Sequence, residues 1–294
     1  MNIIVFGGSG FLGSHVADAL SKENHHVTIF DLITSPYVQK NQEMIIGDIL
    51  NSEDVNKAVK GCDVVYNFAG ISNIDQAKKD ATKTIQTNVI GHTNILQACK
   101  DHNVKRFIFA STVYVYSEAG SFYRASKQAC ELITECFHRQ HNLDFTILRY
   151  GSLYGPRADS SNWINKILKQ ALTEKKITRE GDGEEIREYI HVYDAARLSA
   201  KILSEEYNNQ YVIITGQQPI TIRNLMIMIK EILNNEIRIE FTNKPNEEHY
   251  EITPYNFKPK LAKRLADSNY VDLGQGILDS LSSLHDKVFQ GENG

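Results

Sequence analysis

The sequence predicts an α/β fold, a doubly wound parallel sheet followed by a smaller C-terminal lobe. Three observations predict it. Short β-rich runs alternate with longer helical patterns from Asn2 to about Leu148, the signature of strand–helix–strand crossovers. Two of those runs, Val64-Val65-Tyr66 and Phe107-Ile108-Phe109-Ala110, are apolar throughout rather than alternating, as strands covered on both faces must be. A glycine-rich turn joins the first run to the first helical pattern.

The strands are expected at 3–6, 27–30, 44–46, 63–66, 106–110 and 144–148, and the helices near 11–22, 52–59, 80–102 and 122–141. Right-handed crossovers then place the strands side by side in one sheet. After Arg149 the texture changes: a Gly/Pro-rich turn at 151–156 opens mixed short elements, with polar loops near 178–188 and 243–260. This divides the chain into a dinucleotide-binding domain over 1–150 and a mainly substrate-binding lobe over 151–294. The stretch from about 190 to 215 is expected to return to the first domain, because Asp194–Leu203 reads as a helix and Tyr211–Thr215 as a strand. Beyond about Ser283 the tail is polar and is expected to fray.

Composition narrows the function classes. A net charge of -4 over 294 residues gives no electrostatic reason to expect nucleic acid, whose binding needs a basic patch or stripe. No run of eighteen apolar residues exists, so no membrane-spanning helix is expected. The first residues, Ile3-Ile4-Val5-Phe6, already form a strand without a basic leader, which points to the cytoplasm. Cys62, Cys99, Cys130 and Cys136 show no CxxC spacing, so reduced, mostly buried thiols are expected rather than zinc or disulfides. His138 and His141 share a helix face but have no third ligand, and no metal site is expected.

Gly7-Gly8-Ser9-Gly10-Phe11-Leu12-Gly13 sets Gly7, Gly10 and Gly13 three apart, after a strand and at the start of a helix. The first allows a tight turn, the second close approach to a pyrophosphate, the third close packing of helix on strand. The helix start at Phe11 and Leu12 offers free N–H groups to the phosphates. This is the Rossmann-type dinucleotide fingerprint. The second strand ends at Asp31, where a carboxylate bonds ribose hydroxyls and repels a 2′-phosphate. NAD is therefore expected in preference to NADP.

Two later pieces fall where such a cofactor passes. Asp48 and Ile49 follow the third strand; Asp48 reads either as an acid meeting the adenine amino group or as a helix N-terminal acid. Phe68, Ala69 and Gly70 follow the fourth strand, where small residues let the backbone approach the ligand. Asn88, on the long third helix, reads either as a residue bonding backbone and shaping a proton path or as polar filler.

Tyr123 and Lys127 are four residues apart in Tyr123-Arg124-Ala125-Ser126-Lys127, so on a helix they share a face. A neighbouring cation brings a phenol's pKa down from about 10. Tyr123 can then exchange a proton with a substrate hydroxyl during hydride transfer.

With these residues the chain resembles the extended short-chain dehydrogenase/reductase family, in its NAD-dependent nucleotide-sugar epimerase/dehydratase branch. The resemblance rests on Gly7, Gly10 and Gly13, Asp31, Asp48, Asn67-x-Ala69-Gly70, Asn88, the Ser111–Tyr116 stretch, Tyr123 and Lys127, Tyr154-Gly155-Pro156-Arg157, and the segment from Gly181 to Asp194. It implies Thr112 as the catalytic hydroxyl, Tyr123 as the acid/base, and Lys127 as its partner and a clamp on the nicotinamide ribose. It also implies that Arg187 pairs with the diphosphate of a nucleotide-sugar substrate, a task that suits a guanidinium fork. The other reading of Arg187 is a surface ion pair among Glu184, Glu185 and Glu188.

Departures from the family pattern bear on the reaction. The Asp-Glu pair with which sugar dehydratases follow the catalytic hydroxyl is replaced by Val113-Tyr114, and no cysteine lies near Thr112 as in 3,5-epimerase/reductases. What remains supports hydride transfer at sugar carbon 4, by an epimerase or a dehydrogenase. A 4-keto-sugar reductase and a non-catalytic nucleotide sensor are the alternatives. Only eleven positions separate Thr112 from Tyr123; the family's loop there is longer. The short loop is expected to leave the sugar end open, either for a larger sugar or as a loosely built site. The helices at 80–102 and 122–141 carry apolar positions beyond one stripe, and a homodimer through them is expected.

Overall fold

A computed structural model describes residues 1–242, 263–265 and 268–289. The first strands and helices are β1 (Asn2–Phe6), α1 (Phe11–Lys22), β2 (His26–Asp31), β3 (Gln42–Ile46), α2 (Ser52–Val59) and β4 (Val64–Asn67). Then come α3 (Ile74–Lys79), α4 (Ala81–Ile85), a π-helical turn (Gln86–Ile90), α5 (Gly91–Asp101), β5 (Arg106–Thr112), a 3₁₀ turn (Val113–Tyr116), α6 (Ser121–His141) and β6 (Asp144–Tyr150). The remainder is β7 (Ser152–Tyr154), α7 (Trp163–Glu174), β8 (Lys176–Glu180), β9 (Ile186–His191), α8 (Val192–Lys201), β10 (Gln210–Ile214), β11 (Pro219–Thr221), α9 (Ile222–Ile232), β12 (Arg238–Thr242), β13 (Lys263–Arg264) and α10 (Leu273–Phe289).

The chain forms two compact units. The first comprises Met1–Tyr150, Ala195–Ile214 and Pro254–Leu265. Its sheet runs β13-β10-β6-β5-β4-β1-β2-β3, with every pairing parallel. This is the doubly wound sheet expected from the sequence. Every residue of β4 and β5 is buried, which is why neither shows polar alternation. Phe6, Phe30, Val65, Phe107, Phe109 and Ile147 are central to the core on one face. The strand order reverses at β1, whose neighbours are β2 and β4. The turns after β1 and β4 therefore leave neighbouring strand ends at a topological switch point, where such sheets hold ligands.

The second unit comprises Gly151–Asp194, Thr215–Thr253 and Ala266–Gly294. It holds a three-stranded sheet, β11-β9-β7, and a parallel pair, β12-β8. Helices α7, α9 and α10 pack Ile167, Leu168, Leu225, Ile229, Ile277 and Leu281 into its core.

Several local expectations are corrected. The single helix expected at 80–102 is α4, the π turn and α5 in succession; Asn88, in the π turn, is buried. Helix α3 is additional to the expected elements, and Asn73 caps it by accepting from the Gln76 N–H. Of the polar loop expected near 178–188, only 181–185 is loop. Strands β8 and β9 take the rest, and their charged Arg179 pairs with Glu185 at 2.6 Å. The tail is helical to Phe289, because Leu273, Ile277 and Leu281 return at helical spacing to the core, with Leu284 packed beside them. The loop expected near 243–260 lies outside the described residues.

Candidate active site

The turn after β1 is built around glycines, and at Gly7 and Gly13 no other residue fits without collision. Gly7 adopts φ +75°, donates to the Phe30 carbonyl and accepts from the Gly10 N–H. A Cβ on Gly7 would lie 2.6 Å from the Ala69 nitrogen, and one on Gly13 only 2.3 Å from the Gly7 oxygen. Gly10 stands at the N-cap of α1, and no side chain caps this helix. The N–H groups of Phe11 and Leu12 therefore begin a helix whose positive end is open to an anion. Such a cradle, closed to side chains and uncapped, fits a dinucleotide pyrophosphate.

Asp31 ends β2 beside this turn: its Oδ2 accepts from the Ser9 N–H at 2.9 Å. The carboxylate is thus held at the rim of the glycine loop. Asp48 accepts from the Leu50 N–H at 2.9 Å within its own turn. It is not the cap of α2, which is Asn51. The Ile49 side chain is packed into the core, filling the space that Gly91 leaves free.

The turn after β4 is tied down residue by residue. The Phe68 N–H donates to the Phe6 carbonyl, and its ring stacks on Tyr66 at 6.0 Å. The Ala69 N–H donates to Asn67 Oδ1 at 3.0 Å. Gly70, at φ +145°, leaves room for Asn88, whose Oδ1 would be 2.7 Å from a Cβ there. Asn88 accepts from the Ile71 N–H at 2.6 Å and donates to the Ile71 carbonyl at 3.0 Å and to Ser126 Oγ at 2.9 Å. Of its two readings, backbone bonding is the observed one.

Thr112, Tyr123 and Lys127 come together at the end of β5 and the start of α6. Thr112 is the last residue of β5, and its Oγ1 accepts from the Tyr114 N–H at 3.2 Å. The Tyr114 ring meets the Tyr123 ring edge-on at 6.4 Å, and Lys127 Nζ lies 5.8 Å from the Tyr123 ring centre. Lys127 is buried, donates to the Ala110 carbonyl at 2.7 Å and lies over the Phe109 ring. Desolvation brings its pKa down to about 8, against the attraction of Glu131. An ammonium so placed can stabilise a phenolate on Tyr123.

The short loop before Tyr123 is latched onto α6. Arg124 donates to the Ser117 carbonyl at 2.6 Å and Gln128 to the Val115 carbonyl at 2.8 Å. Gly120, at φ +97°, lets the Tyr114 ring approach where a Cβ would stand 2.7 Å away.

The sequence profile described as the NAD dependent epimerase/dehydratase family matches residues 3–214. The chain belongs to this family. A Haloferax volcanii relative, the low-salt glycan biosynthesis protein Agl12, is 29% identical over 265 residues, covering 82% of this chain and 86% of that protein. The UDP-N-acetyl-alpha-D-glucosaminuronate decarboxylase of Bacillus cytotoxicus is 28% identical over 87% of this chain and 86% of its own length. Among solved structures, the UDP-glucuronic acid 4-epimerase of Bacillus cereus, in complex with UDP-glucuronic acid and NAD, superposes with a TM-score of 0.82. It is 26% identical, covering 97% of this chain and 99% of that one. The resemblance read from the motifs is thus confirmed at the level of the family.

Within this epimerase/dehydratase chain, Arg187 belongs to β9 of the second unit. It is buried and donates to its neighbour's Ile186 carbonyl. Glu184 and Glu185 engage Arg223 and Arg179. Sequence reasoning missed one buried pair behind the cluster. Arg149 grips both oxygens of Glu131, at 3.0 and 2.6 Å, and Glu131 also accepts from Ser111. Glu131 lies one turn beyond Lys127, a spacing visible in the sequence, but its partner is remote. Among the described residues, no helix is long and apolar enough to cross a membrane.

Proposed function

We propose that this chain is an NAD-dependent 4-epimerase of nucleotide-diphosphate sugars, with the first unit as the cofactor domain and the second mainly as the substrate lobe. The observation that carries the reading is the Thr112–Tyr123–Lys127 cluster at the end of β5, with a valine and a tyrosine, not acids, following Thr112. Gly7, Gly10, Phe11, Leu12 and Gly13 would hold the cofactor pyrophosphate, Asp31 the adenosine ribose, and Phe68–Gly70 the passage toward the nicotinamide. When bound, NAD supplies the acceptor and donor of hydride at carbon 4.

The protein's own part is proton transfer and orientation. Thr112 Oγ1 holds the substrate's 4-oxygen, and the Tyr123 phenolate takes its proton as hydride leaves the same carbon. Lys127, fixed by Ala110, keeps the phenolate charged. Tyr123 then returns the proton after the ketone has presented its other face, so carbon 4 is inverted without net oxidation. We assign Arg187 to the substrate diphosphate, Asp48 and Ile49 to the adenine side, and the apolar residues exposed on α4–α6 to a homodimer. A cytoplasmic location fits such a substrate.

The test is to incubate the purified chain with UDP-glucose, UDP-N-acetylglucosamine and UDP-glucuronic acid and follow carbon 4 by proton NMR. The expected result is an equilibrium mixture of C4 epimers, with NAD retained and no accumulation of NADH. Stoichiometric consumption of added NAD(H) would instead make the protein a dehydrogenase or a reductase. No turnover with NAD bound would make it a sensor.

A further inference from the structure

Beneath the turn that follows β4 runs a line of buried side chains with no part in the proton transfer. The Ala69 N–H donates to Asn67 Oδ1, Asn67 Nδ2 stands 3.2 Å from His92 Nδ1, and His92 Nε2 stands 3.0 Å from Thr134 Oγ1. The Thr134 hydroxyl donates its own proton to the Cys130 carbonyl at 2.8 Å. Thr134 can then only accept from the ring, which puts the imidazole proton on Nε2 and leaves Nδ1 to accept from the Asn67 amide. Every direction in the line is fixed, from α6 through α5 to the end of β4.

The line is costly to build. Asn67, His92 and Thr134 are each 1% exposed, and the Phe107 and Phe109 rings meet the imidazole edge-on at 5.2 and 4.4 Å. Burial drives the His92 pKa down to about 3, so the ring stays neutral. An apolar side chain would fill the same space without needing partners for two buried nitrogens. What the histidine adds is a fixed position for Ala69. That position matters because the Ala69 nitrogen is what a Cβ on Gly7 would strike first: the two turns of the switch point rest on each other there.

We infer that His92 is a positioning residue for the dinucleotide: through Asn67 it anchors the Ala69 amide to α6, the helix that carries Tyr123 and Lys127. The inference rests on the proposed NAD site, and its test separates the two. Wild type, His92→Leu, His92→Gln and Thr134→Val are prepared as the full chain. NAD affinity is measured by calorimetry, and hydrogen–deuterium exchange is followed over residues 67–71 without cofactor.

His92→Leu should weaken NAD binding about tenfold, the loss expected for orphaned buried hydrogen-bonding groups, and speed exchange over 67–71. His92→Gln, whose amide carries one acceptor and a donor, should restore most of both. Thr134→Val, which removes the outer anchor, should move both in the same direction by less. A folded His92→Leu protein with wild-type affinity and wild-type exchange overturns the inference, whatever its melting temperature. If that variant does not fold, unchanged values in Thr134→Val overturn it equally. A wild-type chain that binds no NAD overturns the site reading itself, while the exchange comparison still decides whether the line holds the turn.

Discussion

Lys127 donates to the Ala110 carbonyl at 2.7 Å while its ammonium stands 5.8 Å from the centre of the Tyr123 ring. The first contact removes the side chain's freedom; the second is where its charge acts. Because burial lowers its pKa to about 8, the cation is lost from the free protein as pH rises through that value. The expected outcome is a kcat/KM that declines above about pH 8, since this ratio reports the free enzyme's groups. Lys127→Met should flatten that limb and cost about 10²–10⁴ in rate, the usual worth of acid/base catalysis. A limb unchanged in Lys127→Met would assign the titration to another group.

The same shift has a consequence for stability, with its sign set by linkage. The folded-state pKa is depressed from 10.5 to about 8, so burying the charged form costs stability at all pH values below that. Between the two values the unfolded chain keeps a proton that the folded chain has released, and stability rises with pH. Relative to Lys127→Met, wild type should gain about 3 kcal/mol over this window, the energy of a shift of that size. Urea unfolding of both proteins at either end of the window measures it. Parallel curves would contradict the buried-ammonium assignment.

Two of the fingerprint glycines, Gly10 and Gly13, should fail in different ways. A Cβ on Gly13 would lie 2.3 Å from the Gly7 oxygen, whereas one on Gly10 would meet only that oxygen, at 3.2 Å. Gly13→Ala should therefore lower the melting temperature as well as abolish NAD binding, because helix α1 must move off the turn. Gly10→Ala should leave the cofactor-free melting temperature nearly unchanged but remove the rise that NAD produces. Thermal melts with and without NAD distinguish the two. Equal destabilisation by both substitutions would contradict the geometry.

What the sequence made readable is what is local. The glycine spacing, the unbroken apolar runs of β4 and β5, and the Tyr123–Lys127 interval each lie within a few residues, and periodicity exposes them. The line from Asn67 through His92 to Thr134 joins three elements, so no spacing announces it, and the Arg149–Glu131 pair is hidden for the same reason. The π turn at 86–90 escapes because one extra residue per turn leaves the apolar pattern of a long helix almost intact. Parts of strands β8 and β9 fall in the expected loop because their charged residues suggest solvent, although Arg179 and Arg187 are buried.

Arg149 is 1% exposed and holds Glu131 through two hydrogen bonds, and it also donates to the Tyr116 hydroxyl. Removing one partner of such a pair leaves a buried charge without compensation. Glu131→Gln is expected to cost about 3–5 kcal/mol, the usual penalty for breaking a buried ion pair. Replacing both residues by apolar ones of similar volume should recover much of that loss. Denaturant unfolding of the variants with Glu131 alone, Arg149 alone and both replaced by the same apolar residues closes the cycle. Additive losses would show that the two side chains stabilise the fold independently.

The proposed homodimer makes a prediction on the surface of the first unit. Ile90, in the π turn, and Leu132, on α6, are each 51% exposed, and Ile85 and Phe122 are exposed on α4 and α6. The π turn packs beside α6, so these side chains belong to one helical layer rather than to scattered sites. Apolar residues on such a layer are what a second copy of the layer would cover. The double substitution Ile90→Glu with Leu132→Glu places like charges on both copies, and should convert a dimer to a monomer while leaving NAD binding intact. Sedimentation of both proteins at micromolar concentration is the measurement. A wild-type chain that sediments as a monomer would remove the dimer from the reading, and a double variant that remains dimeric would move the interface elsewhere.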